Sequence, residues 1–214
     1  MLKQLKETRV VEKNTTTGKK VLTAIGLLML GIILGVLSKY LDCTASNELP
    51  YIVQVLEVRQ FFDRFAIWIF IALSISVYSN SPIEAGINVF VFFLGMVSSY
   101  YLYSTYVAGF FPRIYALIWF GITAISPLMA YVCWYAKGND KIAIVLSALI
   151  LAVLFNITFA YGWGYFEPYS ILEAVVFVCG VFVMKRTTFS ETIKVTVGGM
   201  VVAGLMNMVI PFVY

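Results

Sequence analysis

Long apolar runs follow one another along almost the whole chain and are separated by short polar connections. Each run has roughly the 20 residues that an α-helix needs to cross the hydrocarbon core of a membrane. Because backbone amides in lipid must be hydrogen-bonded within the segment, such runs predict helices. They lie at about 20–41, 62–80, 83–107, 113–136, 141–163, 169–185 and 191–213. The pattern therefore predicts an all-α polytopic transmembrane bundle of about seven spans.

Several of these runs begin with residues that cap helices. The segment Ser81–Glu84 has the pattern of a capping box with a proline at the first helical position, and Thr188–Glu191 has a second capping box. Either Asn139 or Asp140 can cap the fifth run. Capping depends on hydrogen bonding and not on hydropathy, so these signals support the predicted helix starts independently.

The composition makes lipid the expected solvent of this chain. Hydrophobic residues make up 61% and charged residues 12% of its 214 residues, whereas a soluble domain carries roughly 25% charged residues. The sequence has no histidine and three widely separated cysteines. It therefore offers no histidine-based metal site, no Ser-His or Cys-His nucleophile and no CxxC pair. We expect neither a metal nor a cofactor.

No motif in the sequence points to enzymatic chemistry. It lacks the phosphate-binding loop GxxxxGK[ST], the HExxH pattern and the GxSxG pattern. An intramembrane enzyme is the least favoured class, and its best candidate groups would be acidic side chains near the membrane surface.

The distribution of basic residues predicts the orientation. With the N-terminus inside, eleven of the fifteen basic residues face the cytoplasm, as the positive-inside rule requires. An odd number of spans then places Tyr214 outside. Residues 1–19 form a basic cytoplasmic tail, and 20–214 form one transmembrane domain with an outer interfacial segment near 43–61. The net charge of +4 thus indicates contact with anionic lipid headgroups and not nucleic-acid binding.

Charged residues gather near the predicted outer face. The candidate ligand-binding residues are Glu57, Asp63, Arg64, Arg113 and Glu173. On insertion scales, burying one charged side chain in a membrane costs about 3 kcal/mol. Charged residues in such positions are therefore functional candidates. Glu173 lies inside the sixth run, where it could bind a proton or cation or pair with Arg64 or Arg113. The alternative is that these charges anchor helix ends at the interface and neutralise one another.

Small residues predict close helix contacts in the first run. Gly31 and Gly35 have the GxxxG spacing that lets helix backbones approach one another. The spacing fits packing inside the bundle and equally a homodimer or a contact with another membrane protein.

Several short segments resemble a known group of proteins. They are 64–68, 77–79, 110–112, 126–127 and 133–138. Together they look like multi-pass membrane proteins of Firmicutes bacteria that have no assigned function. The resemblance implies a multi-pass protein of the bacterial plasma membrane, and no site residues follow from it. In size and helix content the chain is also similar to the substrate-binding subunits of energy-coupling-factor vitamin transporters, although about six helices are usual there.

Two functions remain open on the sequence alone. The first is small-solute binding or transport, which the outer charges and Glu173 favour. The second is a non-transporting membrane partner, such as an immunity, regulatory or assembly subunit, which the lack of any chemical motif favours. A polar cavity lined by Glu57, Asp63, Arg64 or Glu173 would support the first.

Overall fold

The computed structural model describes Arg9 and residues 16–209, which fold into a helical bundle with one small hairpin. In chain order the elements are α1 (Thr17–Cys43), a 3-10 turn (Ser46–Glu48), α2 (Tyr51–Val55), α3 (Val58–Asp63), α4 (Phe65–Tyr78), α5 (Pro82–Tyr106), α6 (Arg113–Tyr135), α7 (Lys141–Thr158), β1 (Phe159–Gly162), β2 (Tyr165–Pro168), α8 (Ile171–Val183) and α9 (Phe189–Val209).

The apolar helices differ in length. Within the described residues, α1, α5, α6, α7 and α9 are long and apolar enough to cross a membrane. Helices α4 and α8 lie in the two other predicted runs but have 14 and 13 residues. At 1.5 Å per residue each is about 20 Å long. The all-α class is confirmed, and the count of about seven spans stays a prediction.

Side-chain caps start three of the helices where the sequence predicts them. The Ser81 and Thr188 hydroxyls each accept a hydrogen bond from the backbone N–H three residues later, at 3.1 and 3.2 Å. The Asp140 carboxylate accepts the corresponding bond at 2.9 Å. These contacts satisfy donors that an α-helix leaves free in its first turn.

A hairpin replaces the end of the fifth predicted run. Helix α7 ends at Thr158, and β1 pairs antiparallel with β2 through a turn at Trp163 and Gly164. Gly164 has a φ of +92°, which a residue without Cβ adopts at little cost. The predicted end at residue 163 is therefore wrong. Hydropathy could not distinguish the aromatic strand β1 from a continuing apolar helix.

Glycines bring α1 and α5 into close contact. A Cβ added to Gly31 or Gly35 would meet backbone atoms of Phe92 or Met96 on α5. In the other direction, a Cβ on Gly95 would meet the backbone carbonyl of Leu28 at 2.6 Å. The predicted small-residue contact thus lies within the chain, and a homodimer through the same residues stays a prediction.

Apolar side chains cover much of the bundle's outer surface. Leu22 and Ile33 on α1, Leu117 and Leu128 on α6, and Val201 on α9 are all exposed. Soluble monomers rarely expose apolar patches of this extent. The surface is suited to a lipid environment.

The bundle has two distinct ends. Helices α1, α5, α7 and α9 begin at one end, here called the basic end, and α4, α6 and α8 end there. The opposite end contains the hairpin, α2 and α3 and is called the hairpin end. Most of the predicted tail 1–19 and all of Tyr214 lie outside the described residues. The orientation of the termini and the interfacial position of 43–61 stay predictions.

Candidate functional site

A partly open cavity of about 290 Å³ lies at the hairpin end of the bundle. Helices α1, α3, α4, α5 and α6 and the loop before α6 form its walls. The lining residues are Ser38, Lys39, Asp42, Phe62, Asp63, Trp68, Met96, Val97, Tyr100, Tyr101, Phe110, Pro112, Tyr115 and Trp119. The cavity thus combines three charged groups with a wall of aromatic rings.

Lys39 is held in place inside this cavity. It lies in the last turns of α1, is only 3% exposed and forms an ion pair with Asp42, three residues further on. Its ammonium group also lies 4.9 Å from the ring centre of Tyr100 and 4.7 Å from that of Phe110. A carboxylate and aromatic faces together stabilise a cation away from water. The wall is therefore chemically suited to an ammonium group.

Asp42 has further partners that fix its position. The Tyr100 hydroxyl donates a hydrogen bond to its carboxylate at 3.2 Å. Arg59 on α3 lies 4.0 Å from the other carboxylate oxygen. Asp42 therefore joins α1, α3 and α5, and its charge is already compensated.

Asp63, at the end of α3, is the second carboxylate of the cavity. Within the part of the chain that the structure describes, no cation lies within ion-pair distance of it and no hydrogen bond engages its side chain. Loss of hydration and, next, the negative charge of Asp42 raise the pKa of Asp63 above its ordinary value. The positive charges of Arg59, Lys39 and Arg64 act in the opposite direction. The Asp63 side chain is exposed, so it lies on the open side of the cavity, where a ligand can reach it.

Packed aromatic side chains hold the cavity wall rigid. The Trp68 indole donates a hydrogen bond to the Phe62 carbonyl at 3.0 Å, and the two rings meet edge to face. Trp119 on α6 stacks on Phe65, with ring centres 5.2 Å apart. These contacts connect α3, α4 and α6, so the wall next to Asp63 is preformed.

A second charged contact lies beside the cavity and does not line it. Arg64 forms an ion pair with Glu173 at 2.8 Å, and Glu173 is fully buried. The guanidinium lies 5.3 Å from the ring centre of Tyr169. The Glu173 backbone N–H donates to the Ser170 hydroxyl, which caps α8. The Oε1 atom of Glu173 is buried and has no hydrogen-bond partner among the described atoms.

The structure separates the five predicted site residues into three groups. Asp63 lines the cavity, and Arg64 and Glu173 pair with each other beside it. Glu57 and Arg113 are exposed and lie outside the lining. Of the two predicted partners of Glu173, Arg64 forms an ion pair with it and Arg113 does not. A binding role for any of the five stays a prediction.

Sequence reasoning did not select Lys39 and Asp42 as site candidates. Their spacing of three residues at the end of an apolar run was a usable signal, since such residues share a helix face. The pattern Ser170 to Glu173 is likewise a capping box that marks the start of α8. The contact of Lys39 with Tyr100 had no sequence signal, because it depends on how α1 packs on α5.

Glu57 has a structural constraint of its own. Its φ of 52° places it in the left-handed region, at the corner between α2 and α3. Such a conformation costs a residue with a Cβ roughly 1 kcal/mol. We expect Glu57→Gly to leave the thermal stability unchanged or to raise it slightly, as measured by unfolding in detergent. A marked loss of stability would mean that the Glu57 side chain makes a contact that the protein needs.

The chain was also compared with known proteins. No family model matches it, and neither a curated protein nor a solved structure matches it. The resemblance to Firmicutes membrane proteins therefore stays a prediction. Among the described residues, no cluster of His, Cys, Asp or Glu side chains could hold a metal ion.

Proposed function

We propose that this chain is a multi-pass protein of the bacterial plasma membrane that binds a small solute carrying a cationic group, as a binding or transport protein. One observation carries the proposal: Asp63 lies in an aromatic-lined cavity with no partner for its carboxylate in the described part of the chain. The apolar helices and their exposed apolar surfaces support a membrane location.

The cavity already provides an internal example of cation binding. Lys39 places an ammonium group between Asp42 and the rings of Tyr100 and Phe110. Asp63 offers a second carboxylate in the same cavity, whose wall includes further aromatic rings. A carboxylate combined with aromatic faces is the arrangement that proteins use for organic ammonium groups.

The size of the cavity limits the ligand. A volume of about 290 Å³ lies just below the range of about 300–1,000 Å³ found for small-molecule sites. The enclosed space accommodates a compact ligand. The expected ligand is a compact metabolite with an amino or quaternary ammonium group.

Thermal unfolding of the purified chain in detergent tests this proposal. Choline serves as a cationic probe, and its uncharged carbon analogue dimethylbutanol serves as the neutral control. We expect choline alone to raise the midpoint of unfolding. Asp63→Asn should weaken choline binding by about tenfold, which corresponds to about 1.4 kcal/mol. Glu57→Gln, which removes an exposed carboxylate outside the cavity, should leave choline binding unchanged.

The pH dependence provides an independent check. A cation binds the ionised form of Asp63, so affinity should fall as the pH drops through its pKa. Because the pKa of Asp63 is raised, this loss should begin at a higher pH than an ordinary aspartate would give. Equal stabilisation by choline and dimethylbutanol, or an unchanged response in Asp63→Asn, would contradict the proposal.

The hairpin favours a second candidate function, that of a membrane partner subunit. Trp163 at its tip is fully exposed, and Tyr165 and Phe166 beside it are also exposed. Aromatic residues of this kind are common in the centres of protein interfaces. Co-purification in mild detergent tests this candidate: a specific partner should be retained by the unchanged chain and lost in Trp163→Ser.

A further inference from the structure

Cations converge on the last turns of α4 and α6 at the basic end. Arg9 donates hydrogen bonds to the Trp134 carbonyl at 2.8 Å and to the Val77 carbonyl at 3.0 Å. Arg186, between α8 and α9, donates to the Ala136 carbonyl at 3.1 Å. These carbonyls lie at the helix C-termini, where positive charge is favoured. Two guanidinium groups are thereby held against one helix end.

Lys137 adds a third cation to this cluster. It lies two residues after the end of α6, and its ammonium group donates to the Lys185 carbonyl at 2.9 Å. Burial, and then the positive charges of Arg186, Arg9 and Lys185, lower the pKa of Lys137. The cationic groups are therefore close enough to repel one another.

Each acidic side chain described at this end has a contact of its own. Glu84 pairs with Lys20 and accepts a hydrogen bond from Asn80. Asp140 caps α7. Glu191 accepts a hydrogen bond from a neighbouring threonine hydroxyl at the start of α9. None of these carboxylates is among the charges that act on Lys137.

Helix capping does not use all the donors of the cluster. Arg186 is only 7% exposed, and its Nε–H is buried without a hydrogen-bond partner in the described part of the chain. A buried guanidinium donor without an acceptor is costly. The cluster thus has at least one unused donor, and the charges that act on Lys137 in the described part of the chain are all positive.

We infer that Arg9, Lys137, Lys185 and Arg186 form a binding site for a phosphate group. Phosphate oxygens accept several charge-assisted hydrogen bonds at once, and arginine matches their geometry. Basic pockets between helices at a membrane surface bind the headgroups of anionic lipids. The phosphate would come from such a headgroup or from a free anion. This site is separate from the cavity and does not depend on the proposed solute.

Lipid titration of the full chain in a neutral detergent tests the inference, with thermal unfolding as the readout. The probes are phosphatidylglycerol, zwitterionic phosphatidylcholine and inorganic phosphate. Lys137→Gln should weaken the phosphatidylglycerol response about fivefold, the effect of losing one basic contact at a membrane surface. Lys194→Gln is the matched control, because it removes an exposed charge at the same end but outside the cluster.

The probe that acts identifies the source of the phosphate. A response to phosphatidylglycerol alone assigns the site to a lipid headgroup, and a response that inorganic phosphate reproduces assigns it to a free anion. Lys185→Gln, whose exposed side chain is not part of the packing, should show the same loss as Lys137→Gln in a fully folded chain. Equal effects of Lys137→Gln and Lys194→Gln, or no response to either anion, would overturn the inference.

Discussion

Replacing Arg64 with methionine should destabilise the bundle by about 2–4 kcal/mol, because it leaves the buried Glu173 carboxylate without a counter-charge. Glu173 is fully buried and its closest cation is Arg64, at 2.8 Å. Removal of one partner from a fully buried pair typically costs about 3–5 kcal/mol. We expect a smaller loss of stability than this typical value, because the Arg64 side chain is 29% exposed and water partly screens the pair.

The double variant Arg64→Met with Glu173→Met should recover most of this loss. Replacing both members of a buried pair by apolar side chains of similar size removes the unpaired charge together with its desolvation cost. Glu173→Gln alone should have a smaller effect than Arg64→Met, because it leaves the exposed part of Arg64 free to contact water. A double-mutant cycle separates the coupling between the two residues from their individual effects.

Chemical unfolding in detergent micelles measures these differences. Arg113→Met is the control, since Arg113 belongs to the same end of the bundle and is exposed. Its stability should match that of the unchanged chain. If Arg64→Met and Arg113→Met behave alike, the Glu173 carboxylate is not buried as an ion in the folded protein.

The helices could be predicted from the sequence because membrane insertion depends on long apolar runs and because caps depend on local hydrogen bonding. Ser81, Asp140 and Thr188 illustrate this, since each accepts the backbone N–H three residues later. The shortness of α4 and α8 was not predicted. Hydropathy continues through Arg64 and Tyr169 into the runs that follow, whereas the backbone is extended at Arg64 and not helical at Tyr169.

The candidate site could be predicted only in part. Charge density near the hairpin end led to Asp63, Arg64 and Glu173, but it did not distinguish a cavity carboxylate from a buried ion pair. That distinction depends on which helices meet. Lys39 belongs to the cavity because α1 packs closely enough on α5 to place its ammonium group beside Tyr100. Sequence spacing within one helix carries no information about this contact.

The close contact of α1 with α5 leads to a second large expected effect. Gly35→Ala should destabilise the bundle by about 1–3 kcal/mol, since a new methyl group in a packed interface forces the helices apart. The added Cβ would meet the Met96 carbonyl and the Ser99 hydroxyl on α5. Gly26→Ala on the same helix is the matched control, because no atom lies within 4 Å of its added Cβ. It should stabilise α1 by about 0.5–1 kcal/mol through helix propensity.

Gly35→Ala also distinguishes packing within the chain from the predicted homodimer. Separation of α1 from α5 would move Lys39, one turn after Gly35, away from Tyr100. Loss of stability together with loss of the choline response would therefore place the role of Gly35 inside the bundle. A chain that keeps its stability but changes from dimer to monomer in light scattering would place that role at a dimer contact. Opposite stability changes in Gly35→Ala and Gly26→Ala are the expected result, because the two differ in what their added Cβ atoms meet and not in helix propensity.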